Sequence, residues 1–258
     1  MTNALDVLAI GNALVDVVAQ VGDDFLTEHT IDKGVMTLID DTRAVALYEA
    51  MPPAQEISGG SGANTAAGLG LLGAKTGYIG KVKNDQLGRI FAHDIHACHV
   101  EYAGPIAASD HPGETGRCLV MVTPDGERSM STALGVSVSL NSDDIDPGEA
   151  ARARWLYLEG YLFDGDAAKA AYAKAISATK GAGGLVSFTV SDPFCVERHR
   201  SDMQRLIRED VDLLFANKAE IMALYETNSL EIALEAVSRQ VACAAVTLSE
   251  EGAVVVRG

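Results

Sequence analysis

The sequence predicts an α/β protein in which a doubly wound, mainly parallel β-sheet is flanked by helices and carries a small β lid. Strand-like and helix-like segments alternate along most of the 258 residues, which is the pattern of βαβ units. The strand-like segments are continuous apolar runs, as expected for strands that helices cover on both faces. Two regions interrupt the alternation with short strands joined by turn residues, and we assign these regions to the lid.

The main sheet is predicted from apolar runs, and the helices from stretches of helical length rich in Ala, Leu, Glu, Lys and Arg. The predicted strands are 5–10, 75–82, 155–158, 185–190, 211–216, 242–248 and 253–256. The predicted helices are 63–72, 86–96, 167–179, 198–208, 219–225 and 230–239.

The lid is predicted to come from two insertions, at about 14–39 and 101–123. Its strands are expected at 14–21, 34–39, 101–106 and 117–123. The segment Thr123-Pro124-Asp125-Gly126 is typical of a tight turn. Because no linker-like tract divides the sequence, we expect a single α/β domain over 1–258.

The composition is that of a globular protein with an acidic surface. Hydrophobic residues make up 48% and charged residues 22%, and 20 Lys and Arg against 36 Asp and Glu give a net charge of −16. This balance argues against nucleic acid as a partner, because phosphate binding depends on clustered Lys and Arg. The most apolar run, 7–21, contains Asn12 and Asp16. It is shorter than the roughly 18–20 residues that span a bilayer, so we expect no membrane association.

The cysteines and the N-terminal residues indicate the cytoplasm. The four cysteines lie far apart and form no C-x-x-C pair, which indicates neither a zinc site nor a disulfide framework. Residues 1–5 lack the basic segment of a signal peptide, and Asp6 follows directly. A reducing compartment is therefore expected.

A glycine-rich segment, 58–64, runs directly into the predicted helix 63–72. Gly59 and Gly60 would let the backbone approach a ligand closely, and the helix N-terminus behind them offers unpaired N–H groups. Asn64 would lie in the first helical turn, with its side chain toward the same ligand. The structural alternative is a tight turn capped by Ser61.

The nearby Gly68-Leu-Gly70-Leu-Leu-Gly73 matches G-x-G-x-x-G literally. A dinucleotide-binding fingerprint must follow a strand and open a helix, whereas this match lies within and at the end of a predicted helix. We therefore interpret Gly68 and Gly70 as close helix packing and Gly73 as a C-cap.

Asp16 is a carboxylate in the otherwise apolar segment 13–18. Burying it unpaired would cost several kcal/mol, so it must face water or a polar ligand. A carboxylate in a cleft accepts hydrogen bonds from the paired hydroxyls of a sugar, whereas an edge-strand Asp would simply face solvent. Asn12, just after the first strand, allows the same two interpretations.

Further polar residues follow predicted strands, at the edge where open α/β sheets bind ligands. Glu159 ends one strand, and Asn217 with Glu220 begins a helix. The latter pair is either a structural capping box or, through Glu220, a site that organises hydrated Mg²⁺ near phosphates. Residues 247–252 either receive phosphate or ribose or form only a hairpin.

Taken in order, these motifs resemble the ribokinase-like (PfkB) carbohydrate kinases, and within them the adenosine-kinase-like branch. The matching segments span nearly the whole chain: 11–16, 59–64 with 77–80 behind it, 85–88 (Asp-x-x-Gly), 191–195, 217–220 and 247–252. The resemblance implies a ribokinase-like fold with a β lid, and transfer of the ATP γ-phosphoryl group to a hydroxymethyl group of a sugar or nucleoside. A homodimer through the lid is consistent with it.

The resemblance also implies a role for each matched residue. Asn12, Asp16, Gly59, Gly60, Asn64 and Glu159 are predicted to bind the substrate, and Asn217, Thr247, Ser249 and Gly252 to bind ATP. Glu220 is predicted to act on Mg²⁺ through water. Ser249 stands where ribokinases usually have Gly, which leaves the backbone geometry of that turn open.

The sequence departs from the family in one respect. The family's Gly-Ala-Gly-Asp segment, which supplies an anion hole and the Asp that takes the hydroxyl proton, does not occur before Gly258. The expectation is a C-terminally incomplete kinase with no catalytic residue in this chain, inactive alone. The alternatives are a catalytically inactive sugar or nucleoside binder of the same fold and an NAD-dependent oxidoreductase that uses the Gly68 segment.

Overall fold

The computed structural model describes residues 4–258, which form a main β-sheet with helices against it and a smaller second sheet. The strands are β1 (Leu5–Ile10), β2 (Leu14–Gln20), β3 (Met36–Leu38), β4 (Gln55–Gly59), β5 (Thr76–Ile79), β6 (Val82–Lys83), β7 (Val100–Tyr102), β8 (Ile106–Ala107), β9 (Thr115–Val122), β10 (Arg128–Gly135), β11 (Ala153–Glu159), β12 (Leu185–Thr189), β13 (Leu213–Asn217), β14 (Cys243–Thr247) and β15 (Ala253–Arg257). The helices are α1 (Asp23–Glu28), α2 (Asp41–Ala50), α3 (Ser61–Leu71), α4 (Gln86–Ala97), α5 (Pro147–Ala151), α6 (Asp166–Gly181), α7 (Pro193–Glu209), α8 (Lys218–Leu224) and α9 (Leu230–Ser238).

The main sheet has eight strands in the order β15-β14-β13-β12-β11-β1-β5-β7. Neighbouring strands are parallel, except that β15 runs antiparallel to β14. Successive residues of β1 enter different core clusters, Leu8 and Ile10 one of them and Ala9 the other, as the two-residue period of a strand requires. Since helix α6 packs on β11 and helix α3 on β1 and β5, the predicted doubly wound, mainly parallel sheet is confirmed.

The second sheet has five strands in the order β3-β10-β9-β2-β4, and we call these five strands the lid. On one face of the lid, Val15, Val17 and Leu119 are fully buried in a core cluster. Asp16 alternates with the two valines and is paired in register with Cys118, so these two residues point to the opposite face. Within residues 4–258, no helix combines the length and apolar character needed to cross a bilayer.

The structure corrects the predicted boundaries of the lid. The range 101–106 does not contribute to it, because Val100–Tyr102 pairs with β5 at the edge of the main sheet. Strands β4 and β10 do belong to the lid and were missed, because both lack an apolar run. The buried positions of β10 are filled by small residues, Ser129, Ser131 and Ala133. The predicted turn at 123–126 is confirmed, since it joins the antiparallel strands β9 and β10 with Gly126 at φ 84°.

Candidate active site

We call the main sheet and the helices packed on it the main domain. A cavity of about 550 Å³ lies between the lid and this main domain. The lid contributes mostly apolar side chains around one carboxylate: Leu14, Asp16, Met36, Leu38, Cys118, Met130, Thr132 and Leu134. The main domain contributes mostly polar groups: Asn12, Gly60, Ser61, Asn64, Glu159, Tyr161, Asp164, Asp192, Phe194 and Arg198. The cavity is therefore amphipathic. It lies beside the carboxyl ends of β1 and β11, which form the edge where such sheets usually bind ligands.

Asp16 faces this cavity from the middle of strand β2. Burial raises the pKa of its carboxyl to about 6. Among the described residues none donates a hydrogen bond or forms an ion pair with it. A carboxylate that the protein leaves without a donor, in a cavity of this size, is suited to accept hydrogen bonds from a bound ligand.

In the glycine-rich segment, the backbone passes very close to Asp16 and Asn12. A Cβ on Gly59 would lie 2.5 Å from Asp16 Oδ2, and one on Gly60 would overlap the carbonyl oxygen of Asn12. Gly60 has a φ of 97° and is the N-cap of α3, so Ser61 is the first residue of the helix rather than its cap. Asn64 lies in the first turn of α3, exposed and lining the cavity. The structure thus brings Asp16, Gly60 and Asn64 to one cavity.

Glu159 and Asn12 also border the cavity, but their polar atoms are bonded to the protein. Glu159 is fully buried, and its carboxylate accepts hydrogen bonds from Asn12 N at 2.7 Å, Asn12 Nδ2 at 3.2 Å and Gly62 N at 2.7 Å. Burial raises the pKa of Glu159 to about 7, partly offset by these donors. A direct contact of either residue with a substrate stays a prediction. Within the protein, the hydrogen bonds join Glu159 to Asn12 and to Gly62.

The predicted nucleotide residues lie farther along the same sheet edge and do not line this cavity. Asn217 and Thr247 end strands β13 and β14 and are paired in register. The predicted capping box is present: Asn217 Oδ1 accepts from Glu220 N at 2.9 Å, and Glu220 Oε2 accepts from Asn217 N at 2.8 Å. Burial, and to a smaller extent the nearby Asp192 carboxylate, raises the pKa of Glu220.

The turn after β14 has an unusual backbone. Ser249 adopts φ 54° and Gly252 φ 91°, and the chain then returns antiparallel as β15. A φ near 54° is the left-handed conformation that glycine adopts most readily. Ser249 therefore holds a left-handed backbone conformation that a glycine would adopt more readily.

The structure excludes the dinucleotide interpretation of the Gly68 segment. Gly68 and Gly70 lie inside α3, and the preceding strand, β4, belongs to the lid and ends at Gly59. Gly70 does pack closely, since a Cβ there would overlap the carbonyl oxygen of Cys98. Gly68 is open to solvent with nothing near such a Cβ, so its predicted packing role is wrong. Gly73, directly after Leu72, ends the helix at φ 92° with Gly73 N donating to Gly70 O and Ala74 N to Leu69 O, so its predicted capping role is confirmed.

Sequence reasoning missed several groups that line the cavity. Phe194 is 72% exposed there although it is a large aromatic residue. It follows Asp192 and Pro193, and Asp192 caps helix α7 through Cys195 N at 2.8 Å. The Asp-Pro pair is a recognisable helix start, and this signal could have placed Phe194 beside the ligand edge. Arg198, one turn later, forms an ion pair with Asp164 at 2.9 Å.

Over residues 4–258, no group of three or more His, Cys, Asp or Glu side chains is arranged to hold a metal ion directly. Glu220 and Asp192 lie near each other, since the Asp192 carboxylate contributes to the raised pKa of Glu220. A hydrated cation held through water is compatible with two carboxylates, whereas direct ligation would need more protein oxygens.

A fold of this kind, with an amphipathic cavity under a β lid, defines a sugar-kinase-like protein. The model of the pfkB family of carbohydrate kinases matches residues 31–258, and the chain belongs to this family. The solved adenosine kinase from Sinorhizobium meliloti is 49% identical, with a TM-score of 0.90 over 98% of this chain and 77% of that one. A probable sugar kinase from Rhizobium etli is 44% identical, with a TM-score of 0.91 over 100% of this chain and 78% of that one.

Among curated proteins, guanosine-inosine kinase of Escherichia coli is 25% identical over 236 residues. The match covers 86% of this chain and 53% of that protein, so the chain spans about half the length of this relative. The predicted resemblance to the adenosine-kinase-like branch is confirmed by the family match and the solved neighbours.

Proposed function

We propose that this protein acts as an ATP-dependent kinase that transfers the γ-phosphoryl group to the hydroxymethyl group of a nucleoside or sugar. The observation that carries the proposal is Asp16, a carboxylate without a protein donor that faces a cavity of about 550 Å³ between lid and main domain. The family supports phosphoryl transfer, and two relatives are named as nucleoside kinases.

The acceptor binds with its hydroxyl groups on Asp16 and Asn64. Asp16 accepts hydrogen bonds from the lid side, and Asn64 supplies an amide from the first turn of α3. Gly60 lines the cavity, and the missing side chain of Gly59 leaves room for the Asp16 carboxylate. Charge-assisted hydrogen bonds to two adjacent hydroxyls fix both the affinity and the orientation of the ring.

A nucleoside fits the cavity better than a free sugar. Apolar side chains make up part of the cavity wall, among them Met36, Leu38 and the exposed ring of Phe194. A free monosaccharide would leave this apolar surface in contact with water, whereas a nucleobase would cover it. We therefore propose a nucleoside as the preferred acceptor.

In this proposal, ATP binds along the carboxyl ends of β13 and β14. Asn217, Thr247, Ser249 and Gly252 share this edge, and the helix and turn that begin there offer backbone N–H groups to phosphates. We do not assign removal of the acceptor proton to Asp16, which holds neighbouring hydroxyls, or to Glu220, which is bonded to Asn217.

Magnesium fits this edge in its hydrated form. Glu220 is 7% exposed, and burial, with a smaller contribution from the nearby Asp192 carboxylate, raises its pKa, so a cation nearby would offset the repulsion between the two carboxylates. Glu220 would hold the ion through water. When bound, Mg²⁺ neutralises charge on the transferred phosphate. The cytoplasmic location and the lid-mediated homodimer stay predictions.

The test is transfer of label from [γ-³²P]ATP by the protein as its gene encodes it, with adenosine, guanosine, ribose and fructose as acceptors. We expect a labelled nucleoside monophosphate, its loss in Asp16→Asn, and normal yield in the control Asp166→Asn, whose carboxylate is fully exposed. Absence of labelled product with all four acceptors would overturn the proposal. Label on the sugars alone would overturn the preference for nucleosides.

A further inference from the structure

The polypeptide passes between the main domain and the lid at four places in the described chain, which we call crossings. They are residues 11–13 between β1 and β2, Gly60 between β4 and α3, residues 108–114 before β9, and Gly135 after β10. Any movement of the lid must be accommodated at these crossings. The groups that hold them therefore decide where Asp16 stands relative to Asn64.

Glu159 holds the first two crossings from the end of β11. Its Oε1 accepts from the backbone N–H and the side-chain amide of Asn12, and its Oε2 accepts from Gly62 N at 2.7 Å, just after Gly60. Gly11 and Glu159 are closely packed, because a Cβ on Gly11 would lie 2.6 Å from Glu159 Oε2. One fully buried carboxylate thus joins β11 to both sides of the glycine-rich segment.

The same network reaches the crossing after β10 through Asn12. Asn12 Oδ1 accepts from Ser137 Oγ at 2.9 Å, and Ser137 lies two residues after Gly135. Val136 N in turn donates to Glu114 O at 2.8 Å, which links this crossing to the one before β9. Asn12, only 3% exposed, therefore sits between Glu159 and the end of the lid.

Asp85 holds the remaining crossing from the start of α4. Its Oδ1 caps the helix through Gly88 N at 2.8 Å and accepts from Thr115 Oγ1 at 2.7 Å, while its Oδ2 accepts from Thr115 N at 2.8 Å. Thr115 is the first residue of lid strand β9. This is the Asp of the Asp-x-x-Gly segment, for which neither the cavity nor the nucleotide edge supplies a role.

We propose that Glu159 and Asp85 are positioning residues that hold the lid on the main domain with Asp16 opposite Asn64. Each carboxylate accepts three hydrogen bonds and donates none. The ionised form of a carboxylate, which is purely an acceptor, suits this arrangement of donors. That the placement of Asp16 opposite Asn64 serves acceptor binding rests on the proposed function. The attachment of the lid to the main domain does not depend on it.

The test is hydrogen–deuterium exchange of the ligand-free protein in Glu159→Gln and Asp85→Asn. Each substitution keeps the shape but places an amide N–H against a backbone N–H, and Asn at 85 still caps α4 because Asn is as good an N-cap as Asp. Asp146→Asn is the matched control, since Asp146 caps α5 through Gly148 N away from the lid. Ser137→Ala is a milder variant that removes only the donor to Asn12.

We expect amides of β2, β9 and β10 to exchange at least tenfold faster in both carboxylate variants, and about threefold faster in Ser137→Ala. Amides of β12 to β14 should stay within twofold of wild type, as should all segments of the control. Lid exchange within twofold of wild type, or an equal rise in β12 to β14, would overturn the proposal. If Glu159→Gln does not fold, Asp85→Asn and Ser137→Ala decide by the same criteria.

A second readout separates the two proposals. The dissociation constant for adenosine, measured by calorimetry, should rise at least tenfold in Asp85→Asn, which does not line the cavity. Unchanged affinity in that variant would overturn the positioning role. If wild-type protein does not bind adenosine while lid exchange responds as expected, the attachment stands and the proposed function fails.

Discussion

Gly59 lies against Asp16 so closely that a Cβ on the glycine would be 2.5 Å from Oδ2 of the aspartate. The two residues belong to neighbouring antiparallel lid strands, β4 and β2. The absence of a side chain at Gly59 is therefore what allows the Asp16 carboxylate to occupy its place at the cavity. A ligand held by Asp16 depends on this glycine although the glycine offers no functional group.

The first prediction concerns this contact. Gly59→Ala should displace Asp16 and weaken adenosine binding at least tenfold, at a cost of about 1–3 kcal/mol in stability from overpacking. Calorimetry and urea unfolding measure the two effects. Gly68→Ala is the matched control, because a Cβ there meets nothing. It should leave binding unchanged and stabilise α3 by up to about 1 kcal/mol. Normal adenosine affinity in Gly59→Ala would contradict the role of the contact.

The second prediction concerns the stability cost of the Asp16 charge. Burial raises its pKa from 3.8 to about 6, so the folded state holds the proton more tightly than the unfolded state. The stabilisation is complete below pH 3.8 and is lost as the pH rises through 6. Asp16→Asn, which carries no charge, should therefore be more stable than wild type at pH 8 by about 1–2 kcal/mol.

Thermal unfolding of the two proteins at several pH values measures this difference. It should shrink as the pH falls from 8 and vanish below about 4, where wild-type Asp16 is protonated. A variant less stable than wild type at pH 8 would show that the charge has a stabilising partner, and the raised pKa would then be wrong.

The third prediction separates the two roles of Glu220. Glu220→Gln keeps an acceptor for Asn217 N but removes the charge and the acceptor for Asn217 Nδ2, so helix α8 should be retained and the unfolding free energy should fall by about 1 kcal/mol. The concentration of Mg²⁺ that gives half-maximal ATP binding should rise several-fold. Ser229→Ala removes the cap of α9 and should lower stability by about 1 kcal/mol with no change in Mg²⁺ dependence. An unshifted Mg²⁺ titration in Glu220→Gln would leave only the capping role.

The fourth prediction concerns the turn at the nucleotide edge. Because Ser249 has a φ of 54°, Ser249→Gly should be within about 0.5 kcal/mol of wild type, whereas the β-branched Ser249→Val should lose about 1–2 kcal/mol. Urea unfolding measures both values. The control Glu250→Val, in the same exposed turn but without a positive φ, should change little. Equal stability of Ser249→Val and wild type would mean that the turn is not left-handed at this residue.

Much of the main domain could be predicted because its strands are buried on both faces. Strand β1 is predicted at the residues where it occurs, Leu5–Ile10. Most residues of this segment are apolar, and the turn residues Gly11 and Asn12 follow it. Helix α4 is also well placed, at Gln86–Ala97, because Asp85 is a clear N-cap and the pattern has a helical period. In these elements local propensity and burial indicate the same structure.

The lid could be predicted only in part, because its strands are defined by pairing rather than by composition. Strand β4 is largely polar, and β10 buries small residues such as Ser129 and Ser131. Helix α2, at Asp41–Ala50, was missed because its apolar face is short, with only Ala44 and Leu47 buried. These elements are stabilised by their neighbours in the fold, which a single sequence does not display.

The candidate site shows the same division. Asp16 stands out in the sequence because a charge interrupts an apolar strand, and the structure places it at the cavity. The hydrogen bonds that Glu159 accepts from Asn12 and Gly62 join residues 147 and 97 positions apart. No local pattern signals such a pairing, so this role emerges only from the folded chain.

The central claim is that the cavity under the lid binds the acceptor through Asp16. Calorimetric titration of adenosine into the 258-residue protein and into its Asp16→Asn variant tests it most directly. We expect saturable binding by wild type and an affinity lower by about 2–4 kcal/mol, thirtyfold or more, in the variant. Equal affinities in the two proteins, or no binding of adenosine, guanosine or ribose by wild type, would contradict it.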